Sequence, residues 1–354
     1  MRVLLWMLNG DRIPGGHRVQ IDQTHKHLRM LGVDAEITFQ DSPSVQGYDL
    51  VHGFGLGPAQ IRQCRQAGLR VVLSTIYPGR AFVLGQHMKN GKAQELKWRS
   101  RIGLVLLRSA MQGKHVEKCQ ILVERLHTLR VAFEMADLLL PNSQGEATAL
   151  KEELDVTAPC HIVPNAVDPT GFTIKRAVDD KARAHALYVG RFEPHKNQLG
   201  LIEAMRDSQI PVHLAGYPHP HHMAYYEACC RRATQNITIL PGVPHDELPD
   251  LYNAAKIHVL PSWLETTGLV SLEAALCGCN IVTTSLGHTT EYFQDMAWYC
   301  DPADPASIRQ AVEAAYHAPY RSELRERISQ NFTWEHTARA TLQAYGKVLS
   351  QRPL

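Results

Sequence analysis

The chain lacks any long apolar run. Its longest, residues 3–8 (VLLWML) and 138–141 (LLLP), fall far short of the roughly 18–20 residues a membrane-spanning helix needs. One Arg, six apolar residues and then NGDR open the sequence, too short a segment for a signal peptide and without a small-residue cleavage site. Cysteine is sparse and unpatterned: Cys64, Cys119, Cys160, Cys229, Cys230, Cys277, Cys279 and Cys300 include no CxxC. Cys277 and Cys279 stand too close for an ordinary zinc-ligand pair, which excludes a zinc module. Free thiols in a reducing compartment follow, so the expectation is a cytoplasmic protein. Charge of one sign is lacking too: 37 Lys+Arg stand against 35 Asp+Glu, a net charge of +2. That excludes a whole-chain nucleic-acid binder, and the 44% apolar share excludes disorder. There is no GxGxxG dinucleotide fingerprint, no repeat at a period of 20–50 residues, and no acidic DxD-like pair to hold a metal. No metal or other cofactor is therefore expected.

What is present is strand–helix alternation. The 354 residues suffice for about two domains of roughly 150 residues. Apolar segments at 2–8, 35–39, 49–52, 70–75, 137–141 and 161–165 read as buried parallel strands. Helices read at 17–32, 58–67, 92–112, 117–136 and 143–153. Residues 168–183 carry Pro169, Gly171 and clustered charge without periodicity, and mark a domain boundary. Alternation resumes with strands at 186–190, 211–216, 237–240, 256–262, 280–284 and 297–300. Helices lie near 196–206, 222–233, 245–254, 268–277 and 304–317, and 319–350 reads as helical. Two such series predict two doubly wound parallel sheets, with ligands beyond the strand carboxyl ends.

Three segments carry chemistry. In VGRFEPHKN (189–197), Arg191 follows a strand end and Lys196 opens a helix. A guanidinium fork and a point charge beside a helix N-terminus suit a diphosphate. In LETTGLVSLEAALCG (264–278), Glu265 precedes Gly268 and Glu273 follows it. The amides of Gly268, Leu269 and Val270 are free at the helix start, so two carboxylates bracket an anion site. Gly15 and Gly16, after the first strand, allow a phosphate or sugar to approach closely.

Together VGRFEPHKN, PNAVD (164–168) and ETTGLVSLEAALCGCNIV resemble family 4 of the retaining, nucleotide-sugar-dependent glycosyltransferases. The resemblance covers both domains and is strongest over 160–300. It implies the GT-B fold, two facing Rossmann-like domains with a cleft between them. The first domain, 1–167, would be the acceptor side, and a last helix at about 332–354 would pack back onto it. The second, 168–331, would bind the nucleotide-sugar, which is a co-substrate. The resemblance gives Arg191 and Lys196 to the donor diphosphate and Glu265 to the transferred sugar, these three being the catalytic set. It gives Glu273 to the ribose, the 268–270 amides beside Thr267 to phosphate, Val243 within LPGVPHDEL (240–248) to the base, and Gly15–Gly16 to the donor from the first domain. Three positions depart from the family pattern. Glu265-Thr266-Thr267-Gly268 replaces the common Glu-Gly-Phe-Gly, Ala166 replaces a Gly, and Tyr77 occupies the place of a His. A tyrosine hydroxyl there could still contact the sugar.

The implied activity is that of a retaining, hexosyltransferase-type enzyme. It would pass a sugar from a nucleotide diphosphate to a glycan or lipid-linked acceptor in bacterial-type polysaccharide or glycolipid synthesis. Alternatives are other GT-B chemistry, such as a nucleotide-sugar epimerase, or a non-catalytic nucleotide-sugar-binding module. Residues 79–130 hold eleven Lys/Arg against three acids, a net +8, with Trp98, Ile102 and Val105 among the cations. They read as a solvated basic face or as a peripheral contact with an anionic inner-membrane face. YPHPHHM (217–223), with His219, His221 and His222, reads as a polar surface loop rather than a metal site.

Overall fold

The computed structural model describes residues 1–8, 16–79, 116–175, 177–179 and 181–350. The chain divides into two compact units: Met1–Pro164 with Thr337–Leu354, and Asn165–His336.

The first unit runs β1 (Arg2–Met7), α1 (Gly16–Met30), β2 (Asp34–Thr38), β3 (Leu50–Phe54), α2 (Pro58–Gln66), β4 (Arg70–Ser74), α3 (Val116–Glu134), β5 (Leu138–Leu140) and α4 (Gln144–Leu154). Its strands form one parallel sheet in the order β2-β1-β3-β4-β5. Successive side chains point to opposite faces of a strand, and both faces are buried here. Leu4 and Trp6 join one core with Val51, Val71 and Leu139, while Val3 and Leu5 join the other with Leu50, Val72 and Leu138. That is why these strands read as unbroken apolar runs rather than as alternation. Ser143 caps α4, its Oγ accepting from the Glu146 amide at 3.0 Å.

The second unit runs β6 (His185–Val189), α5 (Gln198–Met205), β7 (Val212–Gly216), α6 (Met223–Arg232), β8 (Ile237–Pro241), α7 (Leu248–Ala254), β9 (Ala255–Leu260), α8 (Leu269–Leu276), β10 (Asn280–Thr284), α9 (Thr289–Phe293), β11 (Trp298–Cys300), α10 (Pro305–His317) and α11 (Ser322–Asn331). The sheet, again parallel, has the order β11-β10-β9-β6-β7-β8. Strand order reverses between β6 and β9, which places the ligand crevice of this unit beyond their carboxyl ends. The chain then enters α12 (Trp334–Leu349), and Ala338, Ala344, Tyr345 and Val348 complete the second core of the first unit.

One element reading needs correction. Residues 161–165 form no strand. The amides of His161 and Val163 donate to the carbonyls of Leu139 and Pro141, but the next amide of that alternation, Asn165, donates to the Tyr292 hydroxyl at 3.1 Å instead. Residues 319–350 are helical, as read, in two helices divided at Phe332–Thr333, where Val167 donates to the Phe332 carbonyl. The helix read at 92–112 lies outside the described residues. Among the described residues no helix is long and apolar enough to cross a membrane.

Candidate active site

Beyond β6, Gly190 is followed by Arg191 and by a short 3-10 turn, Pro194–Lys196. Glu193 is buried beneath this turn. Its Oε1 accepts from the Arg191 guanidinium at 3.0 Å and lies 3.4 Å from His195 Nδ1. Burial, with the charges of Lys196 and Arg191 adding to it, pushes the His195 imidazole down to about 2. His195 is therefore neutral. Lys196 Nζ donates to Glu265 Oε1 at 2.5 Å, joining positions 69 residues apart. The lysine side chain is 19% exposed and the glutamate's 9%, so removing either strands a mostly desolvated charge.

Backbone and amide contacts lock the two loops together. Asn197 adopts a left-handed conformation (φ 57°) and its Nδ2 donates to the carbonyls of Pro261 and Pro302 at 3.0 and 2.9 Å. The Trp263 amide donates to the His195 carbonyl at 2.9 Å. Gln198 Nε2 donates to the Arg191 carbonyl at 2.7 Å. Glu265 is pinned by its own backbone, its amide donating to Leu286 and its carbonyl accepting from His288. Gly287 sits between them at φ +107°, and a Cβ there would stand 2.1 Å from the Glu265 carbonyl oxygen. Only glycine fits.

Thr267 Oγ1 accepts from Asn165 Nδ2 at 3.0 Å. Gly268 (φ +74°) then begins α8 with no side-chain cap. Ser271 and Leu272 donate to its carbonyl. The amides of Gly268, Leu269 and Val270 have no acceptor among the described residues, which leaves three donors and the helix dipole for an anion. One turn on, Glu273 is 7% exposed. Its Oε2 accepts from the Tyr252 hydroxyl at 3.0 Å and its Oε1 lies 3.3 Å from His245 Nε2. That bond raises the His245 imidazole above its ordinary value. Val243 rests half-buried on the core of the unit.

Arg191, Lys196, Glu265, Thr267, Gly268, Leu269, Val270, Glu273 and Val243 thus all belong to the second unit, and a direct contact joins Lys196 to Glu265. In the first unit, Gly16 is the exposed first residue of α1, and Gly15 lies outside the described residues. Tyr77 stands differently. It is 1% exposed, its amide donates to Glu146 and its hydroxyl to Glu153 Oε2 at 2.9 Å. A sugar contact in which the Tyr77 hydroxyl donates would require it to leave Glu153. The His219, His221 and His222 rings lie 5.0–5.5 Å apart, and among the described residues no three His, Cys, Asp or Glu side chains could hold a metal ion. Sequence reading passed over Glu193, Asn197, Tyr252, His245 and Gly287. The one local signal was Asn197 directly after Lys196, since Asn tolerates left-handed backbone.

Residues 172–333 match the family model described as glycosyl transferases group 1. Among curated relatives, D-inositol 3-phosphate glycosyltransferase of Salinispora arenicola (strain CNS-205) is 29% identical over 252 residues, 61% of this chain and 56% of that protein. O-antigen chain mannosyltransferase B of Escherichia coli is 30% identical over 174 residues, 46% of each chain. The match thus spans about half the length of these relatives. Among solved structures, sucrose-phosphate synthase from Thermosynechococcus elongatus superposes with a TM-score of 0.77 at 18% identity, covering 99% of this chain and 100% of that one. Anabaena HepE, solved with UDP and glucose, gives 0.69 at 15% identity, covering 98% and 99%. These likenesses show the fold, the GT-B class of two parallel-sheet α/β units. Over residues 172–333, within its second unit, the chain is similar to the group 1 glycosyltransferases.

Proposed function

We propose that the protein is a retaining glycosyltransferase that takes a sugar from a nucleotide diphosphate and passes it to a glycan or lipid-linked acceptor. One observation carries the reading. Lys196 meets Glu265 at the start of a loop that ends in three uncommitted amides, with Glu273 one helical turn beyond. Departure of the leaving group builds negative charge on the diphosphate. Arg191, Lys196 and the α8 amides form a preorganised set of donors for that charge. Lys196 exchanges one anionic partner, Glu265, for another, and the freed carboxylate accepts from hydroxyls of the transferred sugar. Glu273, oriented by Tyr252, takes the ribose hydroxyls. Those donors neutralise the leaving group without a metal. The acceptor hydroxyl attacks on the face the diphosphate leaves and gives its proton to a phosphate oxygen, so the anomeric configuration is kept. HepE was solved with UDP-glucose, which supports a nucleotide-sugar as the donor class.

Proton NMR of the first turnovers tests this. An α-configured donor should yield an α-configured product, or α-configured free sugar in slow hydrolysis. A β-configured first product would overturn the retaining mechanism. A nucleotide-sugar converted to its epimer without release of nucleotide would overturn transfer itself.

A further inference from the structure

A small cavity of about 90 Å³ opens in the first unit beyond the carboxyl ends of β3 and β4. Phe54, Leu56, Leu73, Ile76 and Phe133 make most of its wall. One of its lining residues, Ser74, is 8% exposed, and its hydroxyl ends a buried relay. Tyr345 Oη lies 2.7 Å from His52 Nδ1, and His52 Nε2 lies 2.9 Å from Ser74 Oγ. Phe54 stacks on the imidazole with ring centroids 4.4 Å apart.

The proton positions in this relay follow from bookkeeping. The buried His52 ring is neutral and carries one N–H. The Tyr345 hydroxyl is fully buried, and among the described residues its proton has one acceptor, His52 Nδ1. The imidazole proton is then on Nε2 and goes to Ser74 Oγ. Ser74 accepts that bond, and its own proton has no acceptor among the described residues. In the opposite tautomer Ser74 would donate to Nε2 and Nδ1–H to the tyrosine oxygen, which would leave the fully buried Tyr345 proton, rather than that of the cavity-lining Ser74, without an acceptor. A buried donor left unused costs free energy unless something in the cavity accepts it.

We propose that this cavity binds a small acyl group, the acetamido substituent of an N-acetylated sugar, whose carbonyl oxygen accepts from the Ser74 hydroxyl. The volume is about three times a water molecule's share of the liquid, and below the roughly 150 Å³ that admits a benzene ring. It holds a substituent, not a sugar ring. The wall suits a methyl group. His17 and Ser74 are the polar side chains in the lining, and among the described residues no Lys or Arg lines the cavity to balance a carboxylate. The inference rests on the glycosyltransferase reading for its assignment to the acceptor. In this relay Tyr345 of α12 sets the proton that aims Ser74.

The test needs no nucleotide, so its failure is separate from failure of donor binding. The methyl glycosides of N-acetylglucosamine and N-acetylgalactosamine are titrated against the whole protein, beside those of glucose and galactose, and followed by saturation-transfer NMR. At least one acetylated probe should bind, with its acetyl methyl the most saturated group, and the parent sugars should bind at least fivefold more weakly. Ser74→Ala should weaken the acetylated probe by about two- to tenfold, the loss of one neutral hydrogen bond. Equal binding of acetylated and parent sugars, no binding of either, or an unchanged Ser74→Ala variant would overturn the proposal. A second measurement does not depend on that variant folding. Long-range proton–nitrogen correlation on wild-type protein should show His52 neutral and protonated on Nε2. A proton on Nδ1 would overturn the relay.

Discussion

At the scale of the residue, the two glutamates of the second unit differ in what holds them. Glu265 is paired with a cation, Lys196, and Glu273 with neutral or weakly charged donors, Tyr252 and His245. In the proposed mechanism Glu265 changes partners as the reaction proceeds, whereas Glu273 makes the same ribose contacts in ground and transition states. Glu273→Ala should then raise donor KM with kcat little changed, and Glu265→Gln should mainly lower kcat. A hydrogen bond to a charged group contributes roughly 1.5–3 kcal/mol, so each effect should be about ten- to a hundredfold. Steady-state kinetics on one donor–acceptor pair separates the two. Exchange of the two signatures would exchange the assignments. Lys196 and Glu265 are both visible in the sequence, but their contact is not, because it closes over 69 positions. Glu193 escaped notice for the same kind of reason. An acid two residues from an arginine reads as solvated charge until burial shows it beneath the turn.

At the scale of the element, the turn after β6 and the loop after β9 act as one piece. Asn197 supplies one of the hydrogen bonds between them, to the carbonyl of Pro261, and ties the same turn to the carbonyl of Pro302 after β11. Asn197→Ala leaves both carbonyls without that donor and should cost about 2 kcal/mol in urea denaturation. It should also lower kcat/KM, since Lys196 is the adjacent residue. A variant as stable as the parent would show the loops to be held from elsewhere. The strands of both sheets were readable as apolar runs because both sheet faces are covered. The segment 161–165 was misread because it has strand composition and runs beside β5, yet its pairing ends where the Asn165 amide turns to the Tyr292 hydroxyl. The break at Phe332–Thr333 carries no glycine or proline to announce it. It is made by a tertiary contact with Val167, which local pattern cannot show.

At the scale of the whole molecule, each unit holds a buried histidine that must stay neutral. Burial pushes His52 and His258 down to about 3, from an ordinary value of 6.5. In the unfolded chain both protonate below about pH 6.5, while in the fold they resist to about 3. The unfolded state therefore binds more protons across that window, and stability should fall steadily as pH drops from 6.5 toward 3. Thermal melts between pH 4 and 7 measure it. His258→Phe, which has no proton to gain, should flatten the slope, and an unchanged slope would place acid sensitivity elsewhere. The basic stretch 79–130 lies largely outside the described residues. Its net +8 leads us to expect co-sedimentation with anionic vesicles that weakens with salt. Equal, weak binding to neutral vesicles would leave only a solvated face.

The central claim is that the second unit holds a nucleotide-diphosphate sugar through Arg191, Lys196 and the amides of 268–270. Calorimetric titration of the whole protein with UDP-, GDP- and ADP-sugars in EDTA tests it most directly. We predict saturable binding of at least one donor, unchanged when Mg²⁺ replaces EDTA and weakened at least tenfold in Lys196→Ala. Binding that appears only with Mg²⁺, or that Lys196→Ala leaves intact, would contradict the account.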